Sequence, residues 1–425
     1  MTMTRRFGLP SATALVVASM VGSGVFTTSG LLLEKLSSPG WVLLAWLIGG
    51  LIAGCGALSY GALSRRFPES GGEYLFLSRT MHPAAGNIAG WISLLVGFSA
   101  PMAAAAYGFG EYLAPWLLSS SPQLTGTLLL CGLAWLHSFL GLGGPWLQTV
   151  AVAFKLLLMA AFMLLAYPRL PSHALASTPG TGFDASTFFT SLIWVSFSYS
   201  GWNAAVYIGG EVREPRRNLP LALLLGTGLV TGLYLALNFT FLFAAEPGAL
   251  AGKVDIGRVA AFALGGAAWA DFMTLLVALA LSLSVSAMMM AGPRVYARMA
   301  QDGHLPRWFG AYEEGAPRRA IFLQCALALL LLWSWGFREL LTYIGFTLGL
   351  SSAVTVYALI RLRLREGSGL VVAGWPWTPA LYLLAVAAMT LSAIVHQPLE
   401  SLWGLATILG GWLIWWVTRV KRTLD

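Results

Sequence analysis

Three features of this sequence place groups able to bind a ligand inside long apolar runs. The first is Met20, Val21, Gly22, Ser23, Gly24, Val25 and Phe26, where two glycines flank a serine. Glycine costs a helix about 1 kcal/mol relative to alanine, so an interruption is expected here. The second is Phe197, Ser198, Tyr199, Ser200, Gly201, Trp202 and Asn203, where polar side chains gather around another glycine. Unwound backbone in hydrocarbon survives only where protein or a wet cavity satisfies its N–H and C=O groups, so two such points imply one internal site. Taken singly, each segment also reads as a mere packing contact between helices. The third feature is Lys155, between Ala153, Phe154, Leu156 and Leu157.

The amides from Gly22, Ser23 and Gly24 onward would lie at the positive end of a helix dipole, which suits a carboxylate. Carbonyls freed at the two breaks suit an ammonium group. A molecule carrying both is an amino acid. The expected contact residues are Val21, Gly22, Ser23, Gly24 and Val25 with Phe197, Ser198, Tyr199, Ser200, Gly201, Trp202 and Asn203. Of these, Phe197, Tyr199 and Trp202, with the run Met102 to Ala106, would line an apolar compartment. Phe197 would cover the ligand as a thin aromatic gate, or else is an ordinary core or lipid-facing residue. All 17 acidic residues fall in loops or near the ends of apolar runs, Glu111 and Asp271 being the most ambiguous. With no buried carboxylate expected for a cationic side chain, neutral ligands are favoured.

Lys155 follows Pro145 by roughly 14 Å of helix, too deep for its stem to reach water easily. Turned inward, its ammonium would stand where other carriers hold a sodium ion, with Ser282, Ser284 and Ser286 as possible hydroxyl partners. A lysine that alternates between charge states, a snorkelling lysine, and serines bonded to their own helix are the alternatives. No metal site is expected, since His82, His173 and His304 are in loops and His137 and His396 are on distant runs. Complete nucleotide-binding or nucleophile motifs are absent, so no cofactor and no enzyme chemistry are expected. Cys55, Cys131 and Cys325 are widely spaced inside apolar runs and read as small core residues.

The elements that must position these groups follow from composition. The chain has 425 residues, 57% hydrophobic and only 10% charged, with a mean hydropathy of +0.74. A soluble domain carries about 25% charged residues. Soluble enzymes, secreted disulfide scaffolds and nucleic-acid binders are therefore excluded, despite the net charge of +8. Apolar runs of the length that crosses a bilayer begin near residues 9, 40, 85, 123, 146, 185, 219, 263, 318, 340, 376 and 398. Assigning both ends to the cytoplasm puts nineteen lysines and arginines inside and five outside, with Lys155 in the membrane, as the positive-inside rule demands. The first run is longer than a signal-peptide core and is expected to stay.

The expected fold is thus an all-α membrane protein of twelve transmembrane helices, one domain over residues 1–425, in the cell membrane. Breaks in spans 1 and 6 suggest a five-helix unit over about 9–168 and an inverted copy over about 185–362, with two peripheral helices over 376–419. Within the polar stretch Arg65 to Pro83, the residues Tyr74, Leu75, Phe76 and Leu77, between Gly72 and Pro83, are too short to span and are expected to lie at the interface.

These residues resemble a family. Val21 to Phe26 is similar to the G-S-G-[IV]-F motif of the amino acid-polyamine-organocation superfamily. Phe197 to Asn203 resembles F-[AS]-Y-[SG]-G-W-N of its L-type amino-acid transporter-like branch. Glu211 to Pro220 and Pro68 to Leu75 resemble that branch's E-[EV]-x-[ED/N]-P-x-[RK]-[ND]-[IL]-P and P-x-S-G-G-E-Y stretches. The resemblance implies a LeuT-like 5+5 core, carboxylate binding by Gly22, Ser23 and Gly24, Phe197 as proximal gate, and Ser200 and Gly201 in the unwound section. It also implies Lys155 in place of a sodium site. The function it implies is sodium-independent exchange or facilitated passage of neutral L-amino acids. Proton-coupled symport, export of amino acids or amines, and a non-transporting receptor are the alternatives. Animal members join a glycoprotein through an outer cysteine; none stands in an outer loop here, so no disulfide-linked subunit is expected.

Overall fold

The computed structural model describes residues 7–117, 121–139, 145–171, 183–301, 303, 305–310 and 317–424, with the side chains of 145–148, 294, 298, 301 and 418–424 left aside. His173 and His304 lie outside the described residues. The first half comprises α1 (Leu9–Met20), α2 (Gly24–Leu36), α3 (Pro39–Arg66), α4 (Gly72–Thr80), α5 (Pro83–Ile92), α6 (Ala100–Leu113), α7 (Pro122–Phe139) and α8 (Pro145–Ala166). The second half comprises α9 (Ala185–Tyr199), α10 (Pro215–Leu242), α11 (Pro247–Leu250), α12 (Ile256–Gly265), α13 (Ala267–Gln301), α14 (Arg318–Ser334) and α15 (Phe337–Glu366). Two further helices, α16 (Trp377–His396) and α17 (Pro398–Leu424), complete the chain. Among the described residues there is no β-strand, only an isolated bridge between Phe7 and Val212.

Local sequence explains where the helices start. Proline opens α3, α5, α7, α8, α10, α11 and α17, positions where its missing N–H would have had no partner anyway. Asp184 caps α9 by accepting from the amides of Ser186 and Thr187 at 3.2 and 3.0 Å. Helices begin within four residues of all twelve expected span starts. The offsets are largest, and equal, at α10 and α13; before α13, Gly266, at φ +74°, separates it from the preceding α12.

Among the described residues seven helices are long and apolar enough to cross a bilayer, and α1 with α2, bent by 42°, makes an eighth. The helices α9 and α14, with 15 and 17 residues, fall short of the roughly 20 that a straight crossing needs. In α9 the reason is the break itself. The chain is a multi-pass membrane protein, with Leu128, Leu164 and Leu384 among its outward-facing apolar side chains.

Packing brings the two broken segments together. Helix α3 lies along α10, α1 against α10 and α8, α2 against α9, and α13 against α6 and α8. Helix α16 packs against both α3 and α9. Its Tyr382 ring meets Trp202 edge-on at 6.2 Å. Cys131 was expected in the core but is exposed on α7. The third span carries seven π-helical residues, Ser93–Ser99, between α5 and α6. The Leu94 carbonyl there is satisfied by Ser99 Oγ at 2.8 Å and the Tyr296 hydroxyl at 3.2 Å.

Buried polar side chains fix the register behind the breaks. Trp46 Nε1 donates to Ser29 Oγ at 2.8 Å, Ser29 donates to Asn238 Oδ1, and Asn238 Nδ2 donates to the Tyr234 carbonyl at 2.8 Å. Asn238→Leu leaves the Ser29 hydroxyl without its acceptor, a loss of about 1–3 kcal/mol. It is expected to lower the melting temperature of the detergent-solubilised protein, whereas Leu51→Val, at a side chain 61% exposed, should not.

Candidate substrate site at the paired helix breaks

The chain leaves helical geometry at Val21, with φ −74° and ψ 80°, and re-enters it at Gly24. Helix α2 therefore begins in the interior, where its first amides lack the preceding turn as a partner, although Phe26 N donates to the Ser23 carbonyl at 3.0 Å. Ser23 and Val25 are buried, and a β-carbon at Gly24 would collide with Ser198 Oγ on α9. Only glycine permits this approach. In the second break Ser200 is extended at ψ 147°, and Gly201 takes φ +96°, a conformation that favours glycine. A β-carbon at Gly201 would stand 2.7 Å from the Ser19 carbonyl oxygen of α1. The two breaks thus touch at both ends. Beyond Asn203 the chain continues as a 3-10 helix, Ala204–Glu211, not as the α-helical half expected.

Three side chains from other helices hold the freed carbonyls. Lys155 is 2% exposed, and its Nζ donates to the Val21 carbonyl at 2.6 Å. The inward reading of this lysine is the one the geometry matches. Ser284 Oγ on α13 donates to the same oxygen at 3.2 Å. Tyr234 on α10 stands between the breaks, its hydroxyl 2.6 Å from the Met20 carbonyl oxygen and 3.0 Å from that of Ser198. Around them, Thr28 and Ser198 share a 3.1 Å hydroxyl contact, Thr27 donates to the Ser23 carbonyl, and Tyr112 donates to that of Phe26.

Several expected contacts turn elsewhere. Ser282 donates to the Ala278 carbonyl of its own helix, and Ser286 pairs with His137 at 2.8 Å. Residues four apart share one face of a helix, so 282 and 286 point together while Ser284 points away from them toward the break. Tyr199 donates to the Trp46 carbonyl of α3. Trp202 packs edge-on against Tyr60 at 4.7 Å, and Asn203 donates to Glu73. These contacts tie the second break to α3 and α4. Phe197 is buried at 5% exposure. Met102 accepts from Gln324 through its sulfur, while Gly108 on α6 lies near Thr27 and Ser23.

Sequence reasoning passed over Tyr234. The available signal was a phenol in the middle of an apolar run, since a buried Tyr hydroxyl almost always has a partner. Tyr234→Phe removes a donor from two buried carbonyls, a loss of about 1–3 kcal/mol per group left unpaired. The melting temperature of the detergent-solubilised protein is expected to fall by several degrees, measured against the wild type under the same conditions.

Comparison with known proteins places this geometry in context. The amino acid permease family model matches residues 7–418. The mouse large neutral amino acids transporter small subunit 2 is 29% identical over 431 residues, covering 96% of this chain and 80% of the relative. The mouse Asc-type amino acid transporter 1 is 26% identical over 437 residues, with coverage of 96% and 80%. The human b(0,+)-type amino acid transporter 1 is 25% identical over 434 residues, with coverage of 98% and 88%. The paired breaks, the apolar multi-pass architecture and a match over nearly the whole sequence agree: the chain belongs to the amino acid permease family, transporters and not enzymes, within the amino acid-polyamine-organocation superfamily and similar to its L-type branch.

Proposed function

We propose that this protein carries neutral L-amino acids across the cell membrane without sodium, by exchange or facilitated passage. The observation that carries the reading is the Val21 carbonyl, held at 2.6 Å by the Lys155 ammonium. A fixed positive charge at the carbonyl end of a broken helix occupies the place where a sodium ion would bind. The amides at Ser23, Gly24 and Val25 then receive the substrate carboxylate, and the carbonyls beside Ser198 receive its ammonium. Phe197 covers the bound molecule. The names of the relatives, transporters of large neutral and other amino acids, support this substrate class.

Both termini lie in the cytoplasm in this reading, on the strength of the lysine and arginine asymmetry. The units over 9–168 and 185–362 act as inverted repeats that rock around the breaks. The opposite faces carry contacts that such rocking must break. On the outer side Arg338 of α15 pairs with Glu34 of α2, and Gly252 N donates to the Gly30 carbonyl at 2.7 Å. On the cytoplasmic side Phe7 N donates to the Glu211 carbonyl at 3.1 Å, and Arg213 N donates to that of Phe7 at 2.8 Å. Although one relative is named a small subunit, all three cysteines here lie within α3, α7 and α14. No disulfide-linked partner belongs to the proposal.

Counterflow of radiolabelled leucine by the purified protein in liposomes tests the reading. Flux is expected to be equal in sodium and choline buffers and to be competed by other neutral amino acids. Lys155→Ala is expected to lose about tenfold or more of that flux, since a buried carbonyl deprived of its charged donor costs about 1.5–3 kcal/mol. Wild-type flux from that variant, or flux that requires sodium, defeats the proposal. Binding of leucine with no flux points instead to a receptor.

A further inference from the structure

The motif between spans 2 and 3, Pro68 to Leu75, has no role in the substrate site, yet it buries a carboxylate. Gly71 and Gly72 take φ +140° and +55°, and a β-carbon on Gly72 would collide with the Tyr207 ring. This close turn drives α4 against the 3-10 helix and sends Glu73 inward to 5% exposure. The sequence had suggested an interfacial segment and no buried carboxylate. Spacing could not reveal the burial, because Glu73 is enclosed by residues distant in the chain.

Three neutral donors from three elements meet at Glu73. Its Oε1 accepts from the Tyr60 hydroxyl of α3 at 2.6 Å and from Asn203 Nδ2, at the second helix break, at 3.2 Å. Its Oε2 accepts from Ser351 Oγ of α15 at 2.6 Å. Beside them the Tyr382 hydroxyl of α16 donates to Ser352 Oγ at 2.7 Å, and Gly210 N donates to Ser70 Oγ at 3.0 Å. The titratable groups facing Glu73 are Tyr60 from α3, Tyr207 from the 3-10 helix and Tyr382 from α16. Among the described residues no lysine, arginine or histidine pairs with it.

We propose that Glu73 is a proton-binding site of the transport cycle, one that holds a proton more tightly while the cytoplasmic side is closed over it than when Asn203 and Ser351 draw away and cytoplasmic water enters. The proposal rests on the carrier reading and adds a coupled ligand to it. The donors belong to elements on either side of the cytoplasmic closure, so opening breaks some of these bonds and admits water. In the closed form burial pushes the Glu73 carboxyl above its ordinary range, a rise that the bonds from Ser351, Tyr60 and Asn203 oppose. Water entry returns it toward about 4.3. The closed form, with the higher pKa, binds the proton more tightly. Acid on the cytoplasmic side therefore favours closure as pH falls through the raised pKa, and each unit of separation is a tenfold ratio in proton affinity.

Two measurements on the full-length protein in liposomes test this. Infrared titration, without substrate, compares the protonated-carboxyl band of the wild type with that of Glu73→Gln. The band lost in the variant is expected to persist above the ordinary carboxylate range; a midpoint near about 4.3 overturns the proposal. Leucine counterflow is expected to slow several-fold as the cytoplasmic-side pH is lowered, and Glu73→Gln to be slow and flat across the same range. An acid dependence unchanged by Glu73→Gln also overturns it. Should that variant fail to fold, Ser351→Ala, which removes one donor to the carboxylate, is expected to move both the band midpoint and the flux curve upward in pH, and no movement counts against the site. Absence of wild-type flux with a raised band midpoint strikes the carrier reading, and with it the role in a transport cycle, while the proton affinity of the buried carboxyl is upheld.

Discussion

A peptide group surrounded by hydrocarbon must find its partner inside the protein, and the arrangement of this molecule follows from how that demand is met at two places where helices stop. The carbonyls of Met20, Val21 and Ser198 are served by Tyr234, Lys155 and Ser284, which come from α10, α8 and α13. Each donor sits on a different helix, so the breaks are stable only inside the assembled bundle. The amides heading α2 are not matched in the same way by a helix of their own.

Close approach does the rest of the positioning. Gly24 against Ser198 and Gly201 against the Ser19 carbonyl remove the space that a β-carbon would need. Because both glycines lie in the breaks, the two unwound segments register against one another directly. Tyr199, Trp202 and Asn203 fasten the second break to α3, α16 and α4. Any movement of that segment is thereby coupled to three neighbours at once.

Much of this was legible in the sequence. The helix starts follow from prolines and apolar runs, and both breaks follow from glycines among serines at membrane depth. Lys155 was legible as an inward group because its depth leaves its stem no easy path to water. What the sequence could not show is direction in space. Ser282, Ser284 and Ser286 look alike in a list, and only the angular step of a helix around a particular neighbour selects Ser284. Tyr199, Trp202 and Asn203 share a motif with Ser200 and Gly201, and only the fold shows that they also reach Trp46, Tyr60 and Glu73. Glu73 sits in a polar loop by composition, and its burial depends on Tyr60, Asn203 and Ser351 converging from far along the chain. The place of α16 beside Trp202 was hidden for the same reason, since it is set by packing between distant segments.

The Tyr234 phenol carries a single hydrogen but lies within reach of two carbonyl oxygens, at 2.6 and 3.0 Å. It can serve only one of them fully at a time. The Met20 oxygen also accepts from Gly22 N at 2.8 Å, so the Ser198 oxygen is the one left with the smaller share. The hydroxyl is in effect a seesaw, and any incoming donor that settles on one oxygen tips the hydrogen toward the other.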